Sequence, residues 1–260
     1  MKKILFVAGI AALVTSFGYN SDHSRKGLYK GDEVTVHGGK AWTWTTINKK
    51  GEPEKIGITL TDAALNSLPV GHGAGHGHGK AGEDYWVVKF NEVANTILPF
   101  NFVLMNWNPN GHEPVNIYDK PHFDFHFYSS TPDEVLAIGA YEGDSVKFQN
   151  VPSSEFLPAS YVNTGHNIPQ MGAHWVDVTS PELHGKPFTE TFIYGSYDGK
   201  VTFYEPMITL DFLKTQKNYE RKIPVPLKFG EEGWYPTIMR VVKHKGETDI
   251  VLDGFVYRKK

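Results

Sequence analysis

Period-two alternation is clearest over residues 122–128, where His, Asp, His and Tyr alternate with three phenylalanines. Successive strand side chains point to opposite faces. His122, Asp124, His126 and Tyr128 therefore share one face, and Phe123, Phe125 and Phe127 share the other. Further strands are expected at 34–37 and 41–47 around the turn pair Gly38-Gly39, and at 56–60, 85–90 and 100–107. Two more hairpins follow: 191–197 with 200–205 around Asp198-Gly199, and 237–244 with 249–257 around Lys245-Gly246-Glu247. Helical signals are few. Thr61 or Asp62 caps a short helix over 63–68 that stops before Pro69. Thr131-Pro132-Asp133-Glu134 opens another, with Pro at the first helical position and Glu134 closing a capping box. The pattern predicts a mainly β fold, an antiparallel β-sandwich or barrel with a few short helices.

Composition agrees with that pattern. The chain has 260 residues, 40% of them hydrophobic, enough for a sizeable core in one large β domain. Its 26 glycines and 16 prolines suit many short strands joined by tight turns. A net charge of −3 argues against electrostatic capture of nucleic acid. There is no cysteine, which excludes disulfides, thiolate ligands and a cysteine nucleophile. Any metal must be held by His, Asp, Glu, amides or water.

The amino terminus reads as a secretory signal over residues 1–20: Met1-Lys2-Lys3, an apolar run over 4–14, then mostly small residues over 15–18. The competing reading is a membrane anchor, but the run falls short of the ~20 residues a spanning helix needs. A periplasmic or secreted protein without a stable anchor is expected. The Gly/His stretch over 71–82 carries His72, His76 and His78. It reads as a mobile loop that gathers metal or covers a site, or as a solvated insertion. Residues 214–222 offer a candidate subdomain break.

The polar face of 122–128 carries the chemistry. Two imidazoles flank a carboxylate within two pleats, and neutral imidazole is a common metal ligand. The plainer alternative is a solvent-facing polar strand. His174, after Pro169 and Gly172, is expected on a loop that delivers its ring to a cavity, with His166 a weaker candidate on the same loop. Counting outward from Asp198-Gly199 pairs Phe192 with Glu205. That sets Glu205 on an apolar face with Val201, Phe203, Phe192 and Tyr194, and Glu190 diagonally near it. A carboxylate there needs a metal, a proton or a cationic side chain. His112 ranks below His174. No serine elbow, Walker loop, dinucleotide fingerprint or His-Glu-X-X-His motif is present.

The chain resembles an exported bacterial family of unassigned reaction, named after a Thermus hypothetical protein and described as a cupin-like β-barrel. The resemblance rests on residues 106–114, on 121–128 above all, on 169–175, on Phe192-Ile193-Tyr194-Gly195 and on Glu205-Pro206-Met207-Ile208-Thr209. It implies a cupin-like β domain over 21–215 and a family prone to symmetric homo-oligomers. Residues 216–260 lie outside it and are expected as a C-terminal hairpin extension packed on the same domain.

These readings converge on one expected site. His122, His126, His174 and Glu205, with Asp124 as the other carboxylate, surround a divalent metal; zinc, manganese and iron stand first among the metals such nitrogen and oxygen ligands suit. Tyr128 or Asp124 would move protons, and the partner would be a small molecule or the metal itself. Three functions are open: a metal-dependent small-molecule enzyme, a periplasmic metal or small-ligand binding protein, and a stress-related structural oligomer without catalysis.

Overall fold

The computed structural model describes residues 26–71 and 84–259. The signal-like segment and His72, His76 and His78 lie outside the described residues. In chain order the elements are β1 (Gly27–Val36), β2 (Gly39–Ile47), β3 (Pro53–Thr61), α1 (Asp62–Ser67), β4 (Tyr85–Lys89), α2 (Glu92–Asn95), β5 (Phe102–Asn108) and β6 (His122–Tyr128). They continue with α3 (Pro132–Leu136), α4 (Tyr141–Gln149), β7 (Tyr161–Ile168), β8 (Gly172–Asp177), β9 (Glu190–Tyr197), β10 (Lys200–Thr209) and α5 (Leu210–Thr215). The last are β11 (Asn218–Lys222), β12 (Gly233–Tyr235), β13 (Ile238–Lys243), β14 (Glu247–Asp253) and β15 (Val256–Arg258). Among the described residues no helix is long and apolar enough to cross a membrane.

Two antiparallel sheets form a sandwich. The first runs β1-β2-β3-β14-β13-β11 and the second β4-β5-β6-β10-β9-β8-β7. Neither closes on itself, so the sandwich is the form observed and not the barrel. The core lies between them. Ile56, Ile58, Leu60, Met239, Val241, Ile250 and Leu252 of the first sheet form one cluster with Phe123, Phe125, Phe127, Phe192 and Tyr194 of the second. Each fully buried phenylalanine contributes on the order of 1.5–3 kcal/mol. The phenylalanine face of residues 122–128 is thus the inner face of the second sheet.

Local chemistry explains the ends of several elements. The Thr61 side chain accepts from Ala64 N and starts α1, and Thr131 with Glu134 forms the full capping box of α3. The first hairpin turns one residue earlier than expected. Val36 pairs with Gly39, and His37 takes a left-handed φ of 47° beside Gly38. Gly39 cannot be a free turn residue, because a Cβ there would meet Ala64 N at 2.1 Å.

Residues 214–222 are no break. α5 leads into β11, which pairs with β13. β14 pairs with β3, so residues after 215 supply three of the six strands of the first sheet. They belong to the sandwich itself. Arg221 on β11 locks them to the second sheet through Glu190 at 3.1 Å and Asp177 at 3.9 Å.

Among the described residues, no further sheet covers the outer face of the second sheet. Two small apolar clusters cover its ends: Phe102, Leu104, Tyr128, Val135, Met171 and Phe203 at one, and Tyr118, Phe188, Ile193 and Met207 at the other. The polar face of β6 lies between them.

Candidate metal centre

β6 is the axis of the site, and its neighbours set what faces it. On β5, Leu104 stands opposite His126, Asn106 opposite Asp124 and Asn108 opposite His122. On β10, Phe203 opposes Tyr128, Met207 opposes Asp124 and Thr209 opposes His122. That constant register sets Glu205 opposite His126. The polar face is buried, not solvated: His122 is 0% exposed, His126 1% and Glu205 2%.

Glu205 arrives there by an irregularity the turn count misses. Lys200 pairs with Tyr197 and Val201 with Ser196, but Phe203 pairs with Gly195, leaving Thr202 extra in a bulge. From the bulge onward every β10 residue moves to the face opposite the one counted. Glu205 pairs with Ile193, not Phe192, and leaves the face of Phe192 and Tyr194. Glu190 is on the other face as well, where it accepts from Tyr219 and Arg221. Among the described residues no lysine or arginine meets Glu205. His174 does, and it comes from strand β8, not from a loop. It pairs with Gly195 across the ladder.

The histidines and carboxylates fall into two groups rather than one four-ligand set. In the inner group, His126 Nε2 is 3.6 Å from Glu205 Oε1, and His174 Nε2 is 3.9 Å from Glu205 Oε2. In the outer group, His122 Nε2 is 3.1 Å from Asp124 Oδ1, and His112 Nε2 is 3.5 Å from Asp124 Oδ2. Within each group one ligand atom from every residue lies within 4.8 Å of the others. His122 and Asp124 therefore join His112, the candidate ranked lower from sequence. β5 alternation was the signal for what sequence reasoning missed: Asn108 Nδ2 donates to Asp124 Oδ2 at 2.7 Å and fixes its orientation.

Ring orientation gives the groups their chemistry. Nδ1 of His122 is 2.6 Å from the Lys120 carbonyl, that of His112 2.7 Å from the Glu113 carbonyl, and that of His126 3.2 Å from the Leu104 carbonyl. A carbonyl oxygen only accepts, so each Nδ1 carries the proton. In the neutral ring Nε2 is then a lone pair, and it faces a carboxylate oxygen. Two acceptors at that range repel unless a proton or a cation lies between them. His122 Nε2, Asp124 Oδ1 and Glu205 Oε2 are all buried without a hydrogen-bond partner among the described residues.

The environments of the two carboxylates differ. Burial pushes Glu205 well above the usual carboxylate range, and the charge on Asp124 adds to this. Burial also pushes Asp124 up, but the His122 and His112 rings set against its two oxygens outweigh it and hold Asp124 well below that range. His174 is driven down to about 3 by burial, then by the His126 and His112 rings. The inner group thus holds neutral His174 beside a carboxyl that keeps its proton more readily than usual.

A cavity of about 340 Å³ opens beside both groups, lined by His112, Asp124, His126, His166, His174 and Glu205 among others. Its described lining includes Asp84 and Glu113 as further carboxylates but no lysine or arginine. Tyr128 does not line it. Its hydroxyl donates to the Gln170 carbonyl at 3.1 Å, and its ring stacks on Phe102 at 4.9 Å. The proton-moving part expected of Tyr128 has no geometry here, because that hydroxyl is committed inside an apolar cluster.

Compared with family models, with curated proteins and with solved structures, the chain matches none.

Proposed function

We propose that this protein binds a divalent metal through His126, His174 and Glu205 and uses it on a small molecule held in the adjoining cavity. The observation that carries the reading is the approach of two imidazole Nε2 atoms to a buried carboxylate with one unpartnered oxygen, which no lysine or arginine reaches among the described residues. The separations fit. Two donors sharing a tetrahedral cation at ~2.1 Å stand ~3.4 Å apart, close to the 3.6 and 3.9 Å observed and longer than a hydrogen bond. Three protein ligands leave coordination positions on the cavity side, as catalytic metal sites do and closed structural sites do not. A cation so placed supplies Lewis acidity and activates water. His126 and His174 are held for this by packing: Phe203 lies edge-on to both rings, with centroids at 4.9 and 5.4 Å. The signal-like amino terminus makes the periplasm or the exterior the proposed place of action.

The test is elemental analysis of purified protein, with thermal melts before and after chelation. The reading expects a stoichiometric metal whose removal lowers Tm, and the loss of one equivalent in Glu205→Gln protein that remains folded. Wild-type protein that neither carries metal nor gains it on addition of zinc, manganese or iron would sink it.

A further inference from the structure

The outer group shares β6 with the inner one but shares none of its ligands. We propose that His112, His122 and Asp124 form a second, separate divalent-cation site, which fastens the 109–121 connection over the cavity. The inference concerns different residues from those of the proposed inner centre and stands or falls apart from it.

Three observations carry it. First, the donors are prepared. His122 is wholly buried, its Nδ1 is bound to the Lys120 carbonyl, and its Nε2 has no partner among the described residues. Asn108 holds one oxygen of Asp124, while Oδ1, 3.1 Å from His122 Nε2, is unpartnered and buried. Second, a further oxygen donor waits beside them. Asn106 stands directly opposite Asp124 on β5, and its Oδ1 is also buried without a partner. Third, the third ligand comes from elsewhere in the chain. His112 sits on the connection between β5 and β6. Its Nδ1 is held by the Glu113 carbonyl, and its ring packs against His122 at 4.7 Å.

The two groups are offset along the strand. Asp124 and His126 are successive same-face positions, ~7 Å apart along β6, so the groups make two mononuclear sites rather than one bridged pair. Their access differs too. The His112 side chain is 33% exposed, against 14% for His174. The outer cation therefore exchanges faster. Gly111, His112, Glu113, Pro114 and Tyr118 of the connection line the cavity. A cation ligated by His112 ties this wall to β6, so filling the outer site orders one side of the inner centre's cavity.

The experiment is a cobalt titration followed by calorimetry and absorbance, after chelation of the purified protein. His72, His76 and His78 are replaced by Asn in every sample so that they add no sites. Proteolysis of the 109–121 connection is measured beside it. The proposal expects two equivalents in this background, one in His112→Ala and in Asp124→Asn, and one in Glu205→Gln. It also expects cobalt to slow cleavage of 109–121 in Glu205→Gln but not in His112→Ala. Two equivalents retained in both His112→Ala and Asp124→Asn would overturn it. So would a single equivalent lost in Glu205→Gln and kept in His112→Ala, which would leave the inner centre standing. A single equivalent lost in His112→Ala and kept in Glu205→Gln would support the outer site and remove the inner one. No binding at all would remove both. His112 is on a partly exposed connection and Asp124→Asn is isosteric, so circular dichroism of these two variants separates lost ligation from lost fold.

Discussion

Gly195 lies so close beneath Phe203 that a Cβ at residue 195 would meet the phenyl ring at 1.9 Å. Phe203 in turn packs against both His126 and His174. Gly195 is thus required by the packing of the proposed metal ligands although it offers no ligand itself. Gly195→Ala must push the ring toward the imidazoles. Overpacking of this kind destabilises by roughly 1–3 kcal/mol, and here it also spreads the inner ligands. Denaturant unfolding should show the loss of stability, and cobalt titration a weaker inner site with the outer one unchanged. Unaltered affinity would show that Phe203 does not position the rings.

Glu205 makes a signed prediction for the metal-free protein. Its folded pKa lies well above the ordinary glutamate value of 4.5, mainly through burial. The stability it contributes is full below that value and is lost as pH rises through the folded pKa. Asp124 runs the other way: its contribution is complete above the ordinary aspartate value of 3.8 and is lost only in acid, so it does not mask the effect. Chelated wild type should therefore lose stability as pH rises above the ordinary carboxyl range, relative to Glu205→Gln, which does not titrate. The variant should be the more stable protein in EDTA and the less stable one with metal. Parallel pH curves for the two proteins would contradict this.

Metal binding should release protons. The inner group keeps a proton on Glu205 more readily than an exposed carboxyl does, and a cation must displace it. Apparent affinity should climb with pH. The binding enthalpy, measured in buffers of different ionisation heat, should vary in proportion to the protons released. Buffer-independent enthalpy would mean that the site is already deprotonated.

Arg221 provides a control away from the cavity. It is the cation between Glu190 and Asp177 and joins β11 to the second sheet. Removing one partner of a mostly buried ion pair costs about 3–5 kcal/mol because the remaining charges stay buried. Arg221→Met should lower Tm strongly and leave metal stoichiometry intact in the folded fraction. Loss of metal from protein that is still folded would tie this cluster to the centre.

The strands and caps were legible because they are local. The alternation of 122–128 placed three phenylalanines in the core, and Thr131 with Glu134 formed the expected capping box. β7, β8 and α4 went unread: β7 and β8 have weak alternation, and β8 is delivered by a turn in which Gln170 and Gly172 both take left-handed φ. The grouping of ligands was not legible either. His122 and His126 share a face, but which carboxylate each one meets depends on the pairing of β5, β6 and β10, a long-range matter. A bulge cannot be counted from a turn, so Glu205 was assigned the wrong neighbours. His112 seemed secondary because nine residues of connection separate it from His122. Their rings in fact lie 4.7 Å apart.

The extra residue at Thr202 makes the centre a question of parity as much as of identity. Each residue added or removed between the Asp198-Gly199 turn and Glu205 exchanges the cavity for the phenylalanine core, unless a bulge absorbs it. Deleting Thr202 would abolish the bulge and keep Glu205 beside Ile193. Deleting Tyr204 would send the carboxylate inward among the rings of Phe192 and Tyr194, with every ligand still present in the sequence. Where no bulge absorbs the change, an odd count turns the carboxylate away from the cavity, so chain length in this hairpin constrains the site as the histidines do.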